Sequence, residues 1–367
     1  MTVTLILVVI IALLFDFTNG FHDTANSIAT MIGTRAVSPQ VAVFMATSLN
    51  FCGAFYSLKV AGVIGKDIIN ADVVTLNVVM AGLTGAITWN LVTWFYGIPS
   101  SSSHALVGGL IGSAVMSNGT SAVFWSAVTH KILIPSIVLP VLGFFVSLAV
   151  MALLMRIFQN THPGRSNRFF KRAQILSGGW LSFTHGVNDA QKTMGIIALA
   201  LVTTGNLNAD FTAPPLWVVF AAASAMALGT YAGGWKIIKT LGGKVVKMNP
   251  TQGFAASISA ASILQIGAHF GFPVSTTHCV SGTVLGAGAS KRLSSVRWGV
   301  AGDIGMAWIM TLPCAALVGA FAFMLVSIHP AVMLLVAGGI ALYMRTRMNT
   351  AEGAPAVPYI SERSTMR

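Results

Sequence analysis

Two aspartates in apolar stretches are the first residues whose type and setting indicate chemistry. Asp23 lies in FTNGFHDTAN, residues 17–26, and Asp189 lies in FTHGVNDAQK, residues 183–192, with Phe, Thr, Gly and Asp at the same places in both. A carboxylate inside an apolar span is costly and normally faces a cavity or a partner. Each aspartate is therefore a candidate to bind a cation or carry a proton. The alternative is a buried carboxylate that only caps a broken helix.

The polar neighbours of the two aspartates are related but not identical. Asn19 and His22 stand opposite His185 and Asn188, so Asn and His exchange places between the two stretches. Amide and imidazole side chains can hydrogen-bond a carboxylate or a ligand. We expect Asn19, His22 and His185 to support the site around the aspartates.

One basic residue, Lys192, lies in the middle of an apolar segment, four places after Asn188. An intramembrane lysine normally faces the interior of the bundle and pairs with a partner. Lys192 can balance the charge of a bound anion, or it can form a structural ion pair with Asp189. The sequence leaves both roles open.

A second pair of motifs has the composition of an anion cradle. Residues 96–112 read YGIPSSSSHALVGGLIG and residues 270–286 read FGFPVSTTHCVSGTVLG. Pro99 and Pro273 stop the preceding turn from continuing as helix. Ser and Thr then stand where a new helix begins, and the N–H groups of that first turn suit a tetrahedral oxyanion. Capping without a ligand is the alternative. The candidate hydroxyl groups belong to Ser101, Ser102, Ser103, Ser275, Thr276 and Thr277.

His104 and His278 follow these hydroxyl groups at matched positions. They can relay protons, because imidazole titrates near neutral pH. They can equally be neutral groups that hold the helix breaks in place, and we favour this structural role.

The elements that carry these motifs form two related halves. The motif pairs are offset by 166 and 174 residues, so they keep their order and nearly equal spacing. Each half holds five predicted spans, and an odd number inserts the second half in the opposite direction. Such inverted repeats are typical of secondary transporters, whose substrate site lies at the repeat interface near the membrane midplane. A duplicated structural bundle is the alternative. The predicted spans are 3–34, 38–58, 73–96, 104–130, 132–157, 173–203, 215–235, 250–270, 278–290, 298–326 and 328–344.

Composition fixes the class as an all-α, multi-pass membrane protein with broken or re-entrant helices. The 367 residues are 55% hydrophobic and only 8% charged, too few charges to cover a water-exposed surface. The net charge of +12 lies in short loops, where it meets lipid headgroups and does not indicate nucleic acid. We read the apolar N-terminus as a mature first span. The predicted parts are a first repeat at 1–157, a basic cytoplasmic connector at 158–172, a second repeat at 173–326, an extra span at 327–344 and a disordered tail at 345–367.

At these motifs the chain resembles the PiT family of inorganic phosphate transporters. GFHDTANS at 20–27 and HGVNDAQKTMGII at 185–197 resemble the two copies of its signature, and the two proline motifs resemble its other repeated element. The resemblance implies an inverted repeat, inorganic phosphate as substrate and the plasma (inner) membrane as location. It implies contacts with substrate and ions by Asp23, Asn26, Asn188, Asp189, Ser101, Ser102, Ser275, Thr276 and Thr277.

The resemblance also bears on the coupling ion. Sodium-coupled animal members carry a Glu in the second span, where Asn50 or a near neighbour stands here, and they have a long central insertion that this chain lacks. Both departures favour the bacterial low-affinity type, which is proton-coupled and accepts metal–phosphate complexes. We therefore expect a proton-driven symporter with no cofactor and no resident metal, and we leave homo-oligomerisation open.

Two rival functions remain at this stage. A sodium-coupled phosphate or sulfate transporter could use the same cradle, but sulfate cannot offer a hydrogen to a carboxylate as phosphate does. A membrane-embedded phosphatase is the rival of another class. We expect no enzyme, because the chain has no HExxH motif and no base at a catalytic spacing from the serines.

Overall fold

The computed structural model describes residues 2–61, 68–70, 74–208 and 210–328, and these residues form a bundle of α-helices. We number the helices in chain order. The first five, α1 to α5, span Val3–Gly33, Pro39–Gly53, Leu76–Tyr96, Ser102–Asn118 and Trp125–Ile157. The next six, α6 to α11, span Pro163–Thr203, Leu216–Ala232, Trp235–Lys244, Pro250–His269, Thr276–Ala289 and Trp298–Ile328.

Four of these helices, α1, α3, α5 and α11, are long and apolar enough to cross a membrane by length and composition. Helices α7 and α8 pass the same test together, with a bend of 59° at the break between them. The protein is therefore a membrane protein with several helices of spanning length. The predicted arrangement of five spans in each half, with opposite insertion, stays a prediction.

Two of the predicted spans form helices that are too short to cross the apolar core of a membrane by themselves. The span expected over 104–130 is a helix of 17 residues that ends at Asn118, and Gly119 and a short 3-10 turn separate it from α5. The span expected over 278–290 is a helix of 14 residues. At 1.5 Å per residue the two helices are about 25 and 21 Å long, shorter than an apolar core of about 30 Å. The span over 104–130 was predicted too long because its apolar run continues through the turn after Asn118 into the next helix.

The connector expected over 158–172 is a loop only at its start. Pro163 occupies the first turn of α6, which continues without a break for 41 residues to Thr203, so the basic residues lie mainly on exposed first turns of a helix. Proline favours this position because the first helical N–H has no intrahelical partner. The extra span predicted at 327–344 and the tail at 345–367 lie outside the described residues, apart from 327 and 328 at the end of α11.

The two short helices pack against the final long helix of the other half. A Cβ on Gly112 of α4 would lie 1.8 Å from the carbonyl oxygen of Ala316 in α11. A Cβ on Gly286 of α10 would lie 2.1 Å from the carbonyl oxygen of Phe144 in α5. Only glycine permits such a close backbone approach, as at small-residue helix contacts in membranes. These glycines are therefore helix-contact positions, and each short helix packs closely against a long helix from the other half of the chain.

Glycine also ends the helix before each short helix. Gly97 and Gly271 have φ of 68° and 74°, in the left-handed region that residues with a Cβ rarely adopt. The chain then passes through Pro99 or Pro273 without regular secondary structure before the next helix begins. These two breaks place the hydroxyl motifs inside the bundle.

Candidate functional site

The two short helices begin face to face in the centre of the molecule. Ser101 is the N-cap of α4 and accepts a hydrogen bond from the backbone N–H of His104 at 3.2 Å. Ser275 is the N-cap of α10 and accepts from the N–H of His278 at 3.3 Å. The Ser275 hydroxyl also donates to the Ser101 hydroxyl at 2.9 Å. The predicted N-caps are therefore correct, and the two positive helix ends meet at one point.

Asp189 lies beside this meeting point within an ion pair. Its Oδ1 accepts from Nζ of Lys192 at 2.5 Å, and the same ammonium group donates to the Ser103 hydroxyl at 2.5 Å. Its Oδ2 lies 3.3 Å from Nε2 of His185 and accepts from the Thr276 hydroxyl at 3.3 Å. All five side chains are buried. Lys192 therefore pairs with Asp189, and Ser103 joins this pair to the hydroxyl motif; the role of Lys192 toward an anion stays a prediction.

Asp23 has the matched position in the first half, but among the described residues its partners are a histidine and a threonine, and no Lys or Arg pairs with it. Its Oδ1 lies 2.8 Å from Nδ1 of His22 and accepts from the Thr277 hydroxyl at 3.4 Å. The amide nitrogen of Asn26 donates to the Thr277 hydroxyl at 2.9 Å and to the Thr276 hydroxyl at 3.4 Å. Thr276 and Thr277 therefore connect the carboxylates of both halves.

The two carboxylates come close to each other. Asp23, Asp189 and His185 each present one ligand atom, and these atoms lie within 4.8 Å of one another. Buried oxygen and imidazole ligands at such distances can hold a cation. They can also share a proton, because two carboxylates this close do not both remain charged without a counter-charge.

The two histidines near the carboxylates are held by Thr93, which the sequence analysis did not single out, and by Asn50, which it named only as the counterpart of a Glu in the second span. Nε2 of His22 lies 3.0 Å from the Thr93 hydroxyl, and Nδ1 of His185 lies 3.3 Å from the side-chain oxygen of Asn50. The Asn50 amide donates in turn to Thr230 at 2.9 Å. The sequence signal for these two contacts was a polar residue, Thr93 or Asn50, in an otherwise apolar helix. Periodicity alone does not say which helix such a residue faces.

Some predicted residues lie outside this network. The Asn188 amide donates to the backbone oxygens of Thr184, at 2.8 Å, and Leu264, at 3.3 Å, so its nitrogen holds α6 against α9. Among the described residues, the side chains of Asn19 and Ser102 are buried without a hydrogen-bond partner. They remain candidates to contact a ligand.

The rings of His104 and His278 contact each other at the same centre. Their centroids are 4.6 Å apart in an edge-to-face arrangement, and His278 also packs on Trp308 at 4.2 Å. Both ring nitrogens of His278 are buried without a partner among the described residues. Ring packing of this kind supports the structural role that we favoured.

A buried polar centre between broken helices, inside a bundle of membrane-length helices, is characteristic of a membrane transport protein. In a bilayer, irregular backbone and charged groups are tolerated where protein encloses them or where they line a solute path.

Comparison with known proteins identifies the family within this class of membrane transport proteins. The profile of the phosphate transporter family matches residues 19–166 and 157–319. A protein of Mycobacterium leprae named "Probable low-affinity inorganic phosphate transporter" is 48% identical, covering 94% of this chain and 84% of that protein. A protein of the same name from Bacillus subtilis is 45% identical, covering 88% and 97% respectively. The chain belongs to the phosphate transporter family.

A solved structure shares the fold. The structure titled "The sodium-dependent phosphate transporter" superimposes with a TM-score of 0.81 at 25% identity, covering 89% of this chain and 100% of that one. The match covers most of this chain, so the two proteins share their overall fold.

Proposed function

We propose that this protein imports inorganic phosphate across the inner membrane as a proton-driven symporter. The observation that carries the proposal is the meeting of the two N-caps, Ser101 and Ser275, beside the carboxylates of both halves. Two helix N-termini offer positive potential and N–H donors to an anion. The proposed contacts are Asp23, Asn26, Asn188, Asp189, Lys192, Ser101, Ser102, Ser103, Ser275, Thr276 and Thr277.

The carboxylates favour phosphate over sulfate. Near neutral pH phosphate carries at least one hydrogen and can donate it to Asp23 or Asp189, whereas sulfate has none to donate. A bare anion beside a buried carboxylate leaves like charges unbalanced and acceptors unpaired. Arsenate has the same protonation pattern, so it should compete with phosphate.

Alternating access in this proposal depends on the halves 1–157 and 173–326 being inserted in opposite directions. The equivalent packing of Gly112 and Gly286 supports two related halves. A site at the interface of such halves can open to either side when one half rocks against the other.

Sodium coupling is the second candidate. It is favoured by the name of the structural relative, a sodium-dependent phosphate transporter, and by three ligand atoms of Asp23, His185 and Asp189 within 4.8 Å of one another. Against it stands Lys192, which already supplies one positive charge to Asp189. Phosphate can travel alone or as a metal–phosphate complex in either case.

Uptake of labelled phosphate into proteoliposomes tests the proposal. An inward proton gradient without sodium should drive uptake, and arsenate should inhibit it far more than sulfate. Strict dependence on sodium at fixed pH would replace proton coupling with the second candidate. Equal inhibition by sulfate and phosphate would refute the substrate assignment. Release of phosphate from organic phosphates by the purified protein would favour a phosphatase instead.

A further inference from the structure

Lys192 breaks the equivalence of the two halves at one position of the centre. The offset of 166 residues that relates Asp23 to Asp189 also relates Asn26 to Lys192. Both side chains project from the same turn of equivalent helices, three residues after the aspartate. One half therefore carries a neutral amide where the other carries a cation.

The two side chains make equivalent hydrogen bonds in spite of this difference. Asn26 donates to the Thr277 hydroxyl at 2.9 Å, and Lys192 donates to the Ser103 hydroxyl at 2.5 Å. Thr277 and Ser103 are themselves related by the offset of 174 residues. The lysine has thus kept the contact of its counterpart and has added an ion pair with Asp189.

The added charge changes the electrostatic balance of the centre. Asp23 and Asp189 bring two carboxyl groups to the centre, and Lys192 is the one buried Lys or Arg side chain among the described residues. An anion that enters a centre of two unbalanced carboxylates needs cations to accompany it, because buried charges are stable only when paired. Lys192 gives one of the two carboxylates, Asp189, a counter-charge that is part of the chain itself.

We propose that Lys192 is a tethered cation that occupies the place of a mobile cation, so that this protein moves one cation fewer per phosphate than it would with Asn at position 192. The inference rests on the proposed function and specifies its coupling. The ammonium group lies between a carboxylate oxygen of Asp189 and the hydroxyl oxygen of Ser103, and hard cations bind oxygen ligands of these kinds. Lys192→Asn removes the charge, leaves these oxygens in place and adds the amide oxygen of the new side chain.

The first test measures cation binding without transport. The thermal unfolding temperature of purified Lys192→Asn should rise with NaCl or KCl and not with choline chloride, whereas the parent should respond equally to all three salts. The double variant Asp189→Asn/Lys192→Asn removes both charges of the pair and should lose the specific response. A Lys192→Asn protein that responds to the three salts alike would overturn the proposal.

The second test measures coupling in proteoliposomes. Lys192→Asn should lose about tenfold or more of its uptake in choline medium, because it leaves a buried carboxylate uncompensated. Sodium or potassium should restore uptake, and the positive charge moved per phosphate should increase by one. Unchanged charge movement, or folded protein that no cation restores, would refute the inference.

Two further variants at position 192 separate loss of the charge from loss of the folded protein. Lys192→Arg retains the charge and should stay independent of sodium and potassium. If Lys192→Asn is not recovered as folded protein, Lys192→Gln replaces it in both tests. The supporting and refuting results are then the same as for Lys192→Asn. Failure of the parent to take up phosphate would refute the proposed function separately, since the salt response of the purified variant does not require transport.

Discussion

The two aspartates are equivalent in sequence, but the structure predicts different consequences for their removal. Asp189→Asn leaves the Lys192 ammonium group buried without a counter-charge, since the carboxylate at 2.5 Å is its partner. Removing one partner of a buried ion pair costs about 3–5 kcal/mol. Asp23→Asn changes the contacts with His22 and Thr277 and leaves no Lys or Arg unpaired, so we expect a cost of about 1–3 kcal/mol.

Transport and stability should therefore separate in the two variants. Both should lose phosphate uptake per unit of membrane-inserted protein, because each loses the charge and proton site of its half. Asp189→Asn should in addition unfold at a clearly lower temperature in detergent than Asp23→Asn. Lys192→Met added to Asp189→Asn should recover much of that stability without restoring uptake, because no unpaired charge then remains.

The matched control is Asp210→Asn, since Asp210 is exposed in a loop. It should match the parent in uptake and in unfolding temperature. Uptake at the parent level in either Asp23→Asn or Asp189→Asn would show that this carboxylate is structural. Equal unfolding temperatures for the two variants would refute the argument from the ion pair.

Three further predictions concern other parts of the molecule. Ser101→Ala should lower stability by about 1 kcal/mol through loss of the N-cap and raise the KM for phosphate, with Ser275→Ala behaving alike in the same uptake assay. Gly112→Ala should sharply reduce the yield of folded protein measured by size-exclusion chromatography, because the new Cβ would lie 1.8 Å from a backbone oxygen. The control Gly299→Ala has open space around the new Cβ and should give the parent's yield. Asp16→Asn should retain transport and match or exceed the parent in unfolding temperature, because Asp16 is fully buried and burying a carboxylate costs more free energy than burying an amide.

Several residues that meet in the polar centre could be picked out from the sequence because they lie in repeated motifs. Repetition identified Asp23 and Asp189, and proline followed by serine or threonine identified the N-caps at Ser101 and Ser275. The individual contacts were not predictable. The pairing of Ser103 with Lys192 joins residues 89 positions apart in the chain, and only the packing of helices decides it.

The fold was predictable in class but not in its boundaries. Hydropathy identified apolar runs, yet it could not separate the short helix ending at Asn118 from α5, because the turn between them is itself rich in small and apolar residues. Asn188 shows the same limit at the level of a side chain. Its neighbour Asp189 faces the centre, whereas its own amide bonds to a backbone carbonyl of α9.

The packing of α4 against α11 affects when the first half can finish folding during synthesis of the chain. The glycine face of α4 is covered by α11, which begins at Trp298, so the first half cannot complete its packing until nearly the whole described chain has been made. Until α11 has been synthesised, α4 lies in the membrane or the translocon with its small-residue face uncovered. Two fragments divided at the connector should consequently be unstable when each is expressed alone, and should assemble when both are produced in the same cell.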